Sequence, residues 1–225
     1  MDARTSSGRN HRIDTRSSRL GLYLPENQFI PIMKLPHFII TPFFLSLVMV
    51  SGKAYAKPEK KVEIEYYDIN GGSDQELKKQ MKNSAIHDKN KKTFYAHTAW
   101  QVNWDFYTAP LMGGCMIAGV KTTVNIRYRF PRWVDEAEGP PALRERWKHF
   151  MEALKEHEEG HADIAMAAAN EVEETIKKSP PHPLCGELVK RGNLLGQQIL
   201  AKHQEIEKDY DRRTQHGKTQ GAIFP

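Results

Sequence analysis

The chain has 225 residues, 39% hydrophobic and 27% charged, with two cysteines and a formal net charge of +5. This is a globular composition of about one domain's size. It excludes a multi-span membrane protein, a disulfide-framed mini-protein and a four-cysteine zinc ribbon. The basic excess sits at one end: residues 1–56 hold seven of the 33 Lys/Arg but only three of the 28 Asp/Glu, which leaves 26 against 25, about +1, for residues 57–225. A nucleic-acid surface needs a localised excess of Lys and Arg, so no nucleic-acid partner is expected.

Residues 38–50, FIITPFFLSLVMV, carry no charge over 13 positions. A bilayer core of about 30 Å takes about 20 residues to cross, so this run is too short for a span and suits the apolar centre of a signal peptide. Lys34 precedes it, and Ala54-Tyr55-Ala56 follows it with small residues at a cleavage site. The expectation is a leader and signal peptide over residues 1–56, with a start at Met33 and cleavage after Ala56. Residues 57–225 then form a single domain, periplasmic or secreted, with no membrane span left after cleavage. Export implies an oxidising compartment, in which Cys115 and Cys185 are expected to form a disulfide.

Residues 62–67 alternate like a half-buried strand. Ser73-Asp74-Gln75-Glu76 is a capping box that starts a short helix to about Asn83. Residues 93–107 alternate again, with Phe94, Trp100, Val102, Trp104 and Phe106 on one face. Residues 115–130 form a third strand region, with Val124, Ile126, Tyr128 and Phe130 on one side. These three strands suggest a small antiparallel sheet. After Gly139-Pro140-Pro141, a long helical pattern runs over residues 142–178 and stops at Ser179-Pro180-Pro181. A second helix follows over residues 185–209, returning antiparallel to the first, and a polar, glycine-containing tail ends the chain. Strands followed by helices give an α+β fold.

The long helix contains His157-Glu158-Glu159-Gly160-His161, an H-E-x-x-H match. At 100° per residue from Trp147, the apolar Met151, Leu154, Ala165, Val172 and Ile176 fall on one stripe. His161 lies about 40° to one side of Trp147, Glu158 about 20° to the other and His157 about 80° away, so all three face the core or its margin. Glu152, Glu156, Glu159, Asp163 and His149 face water. Two imidazoles at i and i+4 stand one above the other and can chelate one Zn²⁺. A buried bare carboxylate is costly, but Glu158 beside a zinc-held water would take its proton as the water attacks a carbonyl. A third ligand has to come from elsewhere. Glu171 lies ten residues on, about 15 Å along the helix, and is too far. His216, Asp211, Glu205, Glu207 and His97 are the options, whereas His182 and His203 are expected at the surface.

Thr98-x-Trp100-x-Val102-x-Trp104, Cys115, Pro131-x-Trp133, Trp147, the H-E-x-x-H core, Cys185 and Tyr210-Asp211-x-x-Thr214-x-His216-Gly217 form a wider pattern. With these pieces the chain resembles, over about residues 62–225, a bacterial family of predicted secreted zinc-dependent proteases long catalogued as a domain of unknown function. The resemblance implies a zincin-like fold and hydrolysis of a peptide or protein substrate, cell-wall peptide among the possibilities. It favours His216 as the third zinc ligand beside His157 and His161, with Glu158 the catalytic base; Tyr210 is expected either to donate to the oxyanion or to be a core tyrosine. The rival expectation is a non-catalytic envelope binding or scaffold protein whose zinc site is structural or a relic.

Overall fold

The structure is a computed structural model that describes residues 57–84, 86–87 and 93–225. The expected leader and signal peptide lie outside the described residues. Strand β1 (Glu59–Ile69) is followed by helix α1 (Asp74–Ser84), the two-residue strands β2 (Ile86–His87) and β3 (Thr93–Phe94), and the long strands β4 (His97–Leu111) and β5 (Gly114–Trp133). Helices α2 (Pro141–Lys177) and α3 (Cys185–Thr214) complete the α+β order, with short 3₁₀ turns at Glu136–Glu138 and Lys218–Gln220. The α1 capping box closes one residue early. Ser73 Oγ accepts the Glu76 N–H at 3.3 Å, while Glu76 Oε2 accepts from Gly72 rather than from Ser73 itself, at 2.8 Å.

The main sheet corrects the antiparallel expectation. Its order is β1-β5-β4; β4 and β5 form an antiparallel hairpin, but β1 runs parallel to β5. Alternation reports which face a residue takes, not strand direction. A parallel pair needs a long crossover, and α1, β2, β3 and β4 together supply it. The half-buried reading of β1 is corrected as well. As the outer strand it projects past the helices, so Val62, Ile64 and Tyr66 stay 49–50% exposed although they share a face with buried Ile126, Tyr128 and Phe130.

That face of β4 and β5 carries the core. Val102, Val124, Ile126 and Phe130 meet the α2 stripe of Trp147, Phe150, Leu154, Ala165, Val172 and Ile176, all buried. Pro141 starts α2, a position where its missing N–H costs nothing. Thirty-seven residues make α2 about 55 Å long. Glu171 meets His203, His161 meets Glu207 and His157 meets Asp211, so α3 runs antiparallel to α2 as expected. Two glycines let α3 lie close to β4. A Cβ added to Gly196 would come within 2.6 Å of the Trp104 ring, and one on Gly192 within 2.7 Å of Phe106.

Helix α3 extends five residues beyond the expected Asp209. Asp209 pairs with Arg212 and Arg213 one turn on, and the helix stops where Gln215 enters the left-handed region at φ 51°. Tyr210, Asp211 and Thr214 are therefore helical rather than part of a loop. The tail is also more ordered than a loop. It turns through His216 (φ 55°) and Gly217 (φ 82°), forms its 3₁₀ turn, and seats buried Phe224 on Trp147 and Phe150 at ring distances of 5.6 and 5.2 Å.

Cys115 and Cys185 form the expected disulfide, with Cα atoms 5.3 Å apart and a sequence separation of 70. Beside it the backbones of Cys115 and His182 exchange two hydrogen bonds of 2.9 and 3.0 Å. No helix among the described residues is long and apolar enough to cross a membrane.

The purified protein should show no free thiol after denaturation under non-reducing conditions. Replacing both cysteines by serine should lower stability by up to roughly 4 kcal/mol, the loop-entropy value for a 70-residue closure. Two titratable thiols in the native protein would contradict the bridge. Gly196→Ala should cost about 1–3 kcal/mol in a urea melt through overpacking against Trp104, whereas Gly186→Ala, with open space around its Cβ, should not.

Candidate metal centre

One side of α2 delivers His157, Glu158 and His161 into the space between α3 and β4, where they are 3%, 4% and 5% exposed. The α3 extension brings Asp211, 5% exposed, to meet them. Asp211 Oδ1 lies 3.3 Å from His157 Nε2 and 3.1 Å from His161 Nε2, and the two Nε2 atoms are 3.3 Å apart. His157, His161 and Asp211 form a buried group that could hold a metal ion.

The far sides of both rings are held by the protein. His157 Nδ1 is 3.0 Å from Gln220 Oε1, an acceptor, so Nδ1 carries the hydrogen and Nε2 presents its lone pair to the cluster. His161 Nδ1 is 3.3 Å from Glu207 Oε1, a charge contact that lacks the alignment of a hydrogen bond. Glu207 is itself fixed by the Trp100 indole N–H at 2.8 Å. Tyr210 stacks on His157 at 5.1 Å and meets His161 edge-on at 5.1 Å. Its hydroxyl donates to the His157 carbonyl at 3.2 Å. Gly160 exists for that ring: a Cβ there would overlap the Tyr210 hydroxyl.

The electrostatics call for a cation. Burial alone would lower His161, but Asp211 and Glu207 outweigh it and hold the imidazole up at about 10. Burial would raise Asp211, yet the His157 and His161 rings beside it outweigh burial and hold its carboxyl well below the usual range. Glu158 is pushed up by burial, partly offset by the Thr98 hydroxyl, which donates to its Oε2 at 2.6 Å. His97 is half-buried nearby and is lowered, chiefly by burial.

The structure thus brings His157, Glu158, His161, Tyr210 and Asp211 together. His216 stands beside Asp211, with Nδ1 3.4 Å from the same Oδ1 and its ring against Phe94 at 4.8 Å. It is not among the three residues whose ligand atoms lie within 4.8 Å of one another. Glu205 points to solvent and pairs with Lys208. His149 is exposed between Glu145 and Glu152, as the helical wheel requires. His203 corrects the surface expectation: it is 5% exposed and 2.8 Å from Glu171. His182 is half-buried, held through its Nδ1 by the Leu184 N–H at 3.1 Å. Gln220 was not foreseen, because nothing in a polar tail marks one amide as the partner of a histidine 63 residues away. Thr98 had a signal, and Glu207, one of the expected ligand options, stands instead at the far nitrogen of His161. Thr98 lies in the inward alternation of β4, and Glu207 sits one helical turn before Asp211.

No curated protein and no solved structure matches the chain. Residues 64–217 match the family described as "Bacterial protein of unknown function (DUF922)". The match spans both helices, the paired cysteines and the whole His157–His161–Asp211 cluster, and the chain belongs to this DUF922 family of bacterial proteins.

Proposed function

We propose that this protein is an exported zinc-dependent metallopeptidase of zincin-like type, with His157, His161 and Asp211 as ligands and Glu158 as the catalytic base. The donor triangle carries the reading. Zinc bonds of 2.0–2.1 Å in a tetrahedron place neighbouring donors about 3.3–3.4 Å apart, and the three edges here are 3.1, 3.3 and 3.3 Å. Two imidazoles and a carboxylate are a donor set of catalytic zinc sites; iron(II) takes the same set, and metal analysis separates the two. The disulfide supports export, since such bonds persist in oxidising compartments.

Zinc supplies a Lewis acid that polarises a carbonyl and acidifies water beside it. The chain's own groups do the rest. Gln220 and Glu207 fix the two ring orientations so that both Nε2 atoms converge. Thr98 holds Glu158 Oε2, leaving Oε1 to take a proton from water and return it to a leaving amine. Burial raises the Glu158 carboxyl in the direction that such a base-then-acid requires. The Tyr210 hydroxyl reaches a developing oxyanion by releasing the His157 carbonyl. His216, with Nδ1 3.4 Å from Asp211 Oδ1, acts as an outer partner that steadies this carboxylate. The substrate is a peptide or protein, cell-wall peptide included.

One observation favours the non-catalytic rival. The cluster is 3–5% exposed, and His216 stands next to Asp211, from where it could close the remaining position. His216→Ala separates the two. In the enzyme it should keep about one zinc per chain with affinity reduced by about 10- to 100-fold, the range for an outer partner. In a closed structural site the zinc should be lost.

Metal analysis of the purified protein should find about one zinc per chain. His157→Ala, His161→Ala and Asp211→Asn should lose it, and His149→Ala should not. Glu158→Gln should retain the metal and lower peptide cleavage by roughly 10²- to 10⁴-fold. Full zinc in His157→Ala would overturn the ligand set. Undiminished cleavage in Glu158→Gln would overturn the base.

A further inference from the structure

The outer strand β1 is the part of the fold that its own helices leave uncovered. It is eleven residues long, it ends the sheet among the described residues, and positions 59–66 are all exposed. An edge strand offers a row of unpaired N–H and C=O groups, and long ones with an apolar face are sites of strand addition. Here the face is apolar: Val62, Ile64 and Tyr66 stand in line, 49–50% exposed, on the helix side of the sheet.

We infer that β1 is a homodimer interface, pairing antiparallel with β1 of a second copy about a two-fold axis at Ile64. The strand is complementary to itself in that register. On the helix side Ile64 meets Ile64, Val62 meets Tyr66 and Lys60 meets Asp68, so apolar lies against apolar and opposite charges face each other. On the other side Glu63 meets Glu65 of the second copy, and Arg127 of each copy already contacts both carboxylates, at 3.0 and 3.4 Å. A two-fold contact of this kind uses the same patch twice and closes the assembly at two.

The helices fit the same arrangement. A cleft beside Tyr66 is lined on α2 by Lys148, Met151, Glu152 and Lys155. With strands about 4.8 Å apart, the two β5 strands would lie three spacings, about 14 Å, from each other. Each α2 packs over β5 and β4, so the two helices would flank the six apolar side chains and cover them. Their facing flanks carry mixed signs, with Lys148 and Lys155 around Glu152, and can pair across the axis. The inference is independent of the metal centre and stands whether or not the protein is an enzyme.

The test is sedimentation equilibrium on the purified full chain, with two variants. The wild type should be a dimer. Ile64→Lys, at a half-exposed position outside the monomer core, should leave the far-UV circular dichroism spectrum unchanged and raise the dissociation constant at least about 100-fold. Ile64→Cys should form a covalent dimer on mild oxidation, because residues opposed across an antiparallel pair lie within disulfide reach. Val62→Cys should not, since its opposite number is Tyr66. A monomeric wild type, a dimer insensitive to Ile64→Lys, or cross-linking equal at 62 and 64 would each overturn the proposal. Slow amide exchange along Glu59–Tyr66 in a monomer would mean instead that another segment or another protein covers the strand.

Discussion

Two imidazole nitrogens 3.3 Å apart, both aimed at one carboxylate oxygen and shut away from water, need a positive charge between them. Much else in the helical layer follows from that demand. A proton can meet it, held on His161 by the Asp211 and Glu207 carboxylates beside the ring. A metal ion meets it better, because one ion satisfies all three donors at once. Since ligands must give up protons to bind metal, proton and ion compete for the same Nε2 atoms. The outer partners decide where the remaining hydrogens sit: Gln220 takes the one on His157, and Glu207 attracts the one on His161.

Meeting that demand sets the distance between α2 and α3. Asp211 can reach both rings only if α3 lies close, and close approach requires small residues where the helices and sheet are tightest. Gly160 admits the Tyr210 ring at the cluster. Gly196 and Gly192 admit Trp104 and Phe106 further along α3. The disulfide anchors the start of α3 to the start of β5, at the other end of the helix from Asp211. The helix is thus held at both ends, by a covalent bond at Cys185 and by the cluster at Asp211.

The sequence was most legible where one periodicity had one cause. The long run of α2, the inward stripe of β5 and the inward turn of His157, Glu158 and His161 all follow from counting residues along a single element. It was least legible where partners came from different elements. The parallel pairing of β1 depends on a crossover, which alternation does not record. Whether Asp211 or His216 enters the donor group depends on where α3 ends. That end is set by Asp209 pairing with the two following arginines and by a left-handed Gln215, not by a Gly or Pro stop. Tyr210-Asp211-x-x-Thr214 looked like tail because no hydrophobic run marks it, yet three of its side chains surround the cluster.

Helix α2 buries two carboxylates, and their comparison sharpens what burial alone can say. Glu158 and Glu173 are 4% and 7% exposed, about four turns apart, and each accepts from a sheet threonine: Thr98 at 2.6 Å and Thr122 at 2.7 Å. Both threonines lie in inward rows that are otherwise mostly apolar, so each pair solves the same problem, satisfying a carboxylate inside the core. By burial and hydrogen bonding the two glutamates are alike. They differ in what lies beside them. Glu173 is flanked along the helix by buried Ala169, Val172 and Ile176, whereas Glu158 feels the charges of His157, His161 and Asp211. A buried glutamate on this helix is therefore a structural device in itself, and what sets Glu158 apart is the candidate metal group next to it.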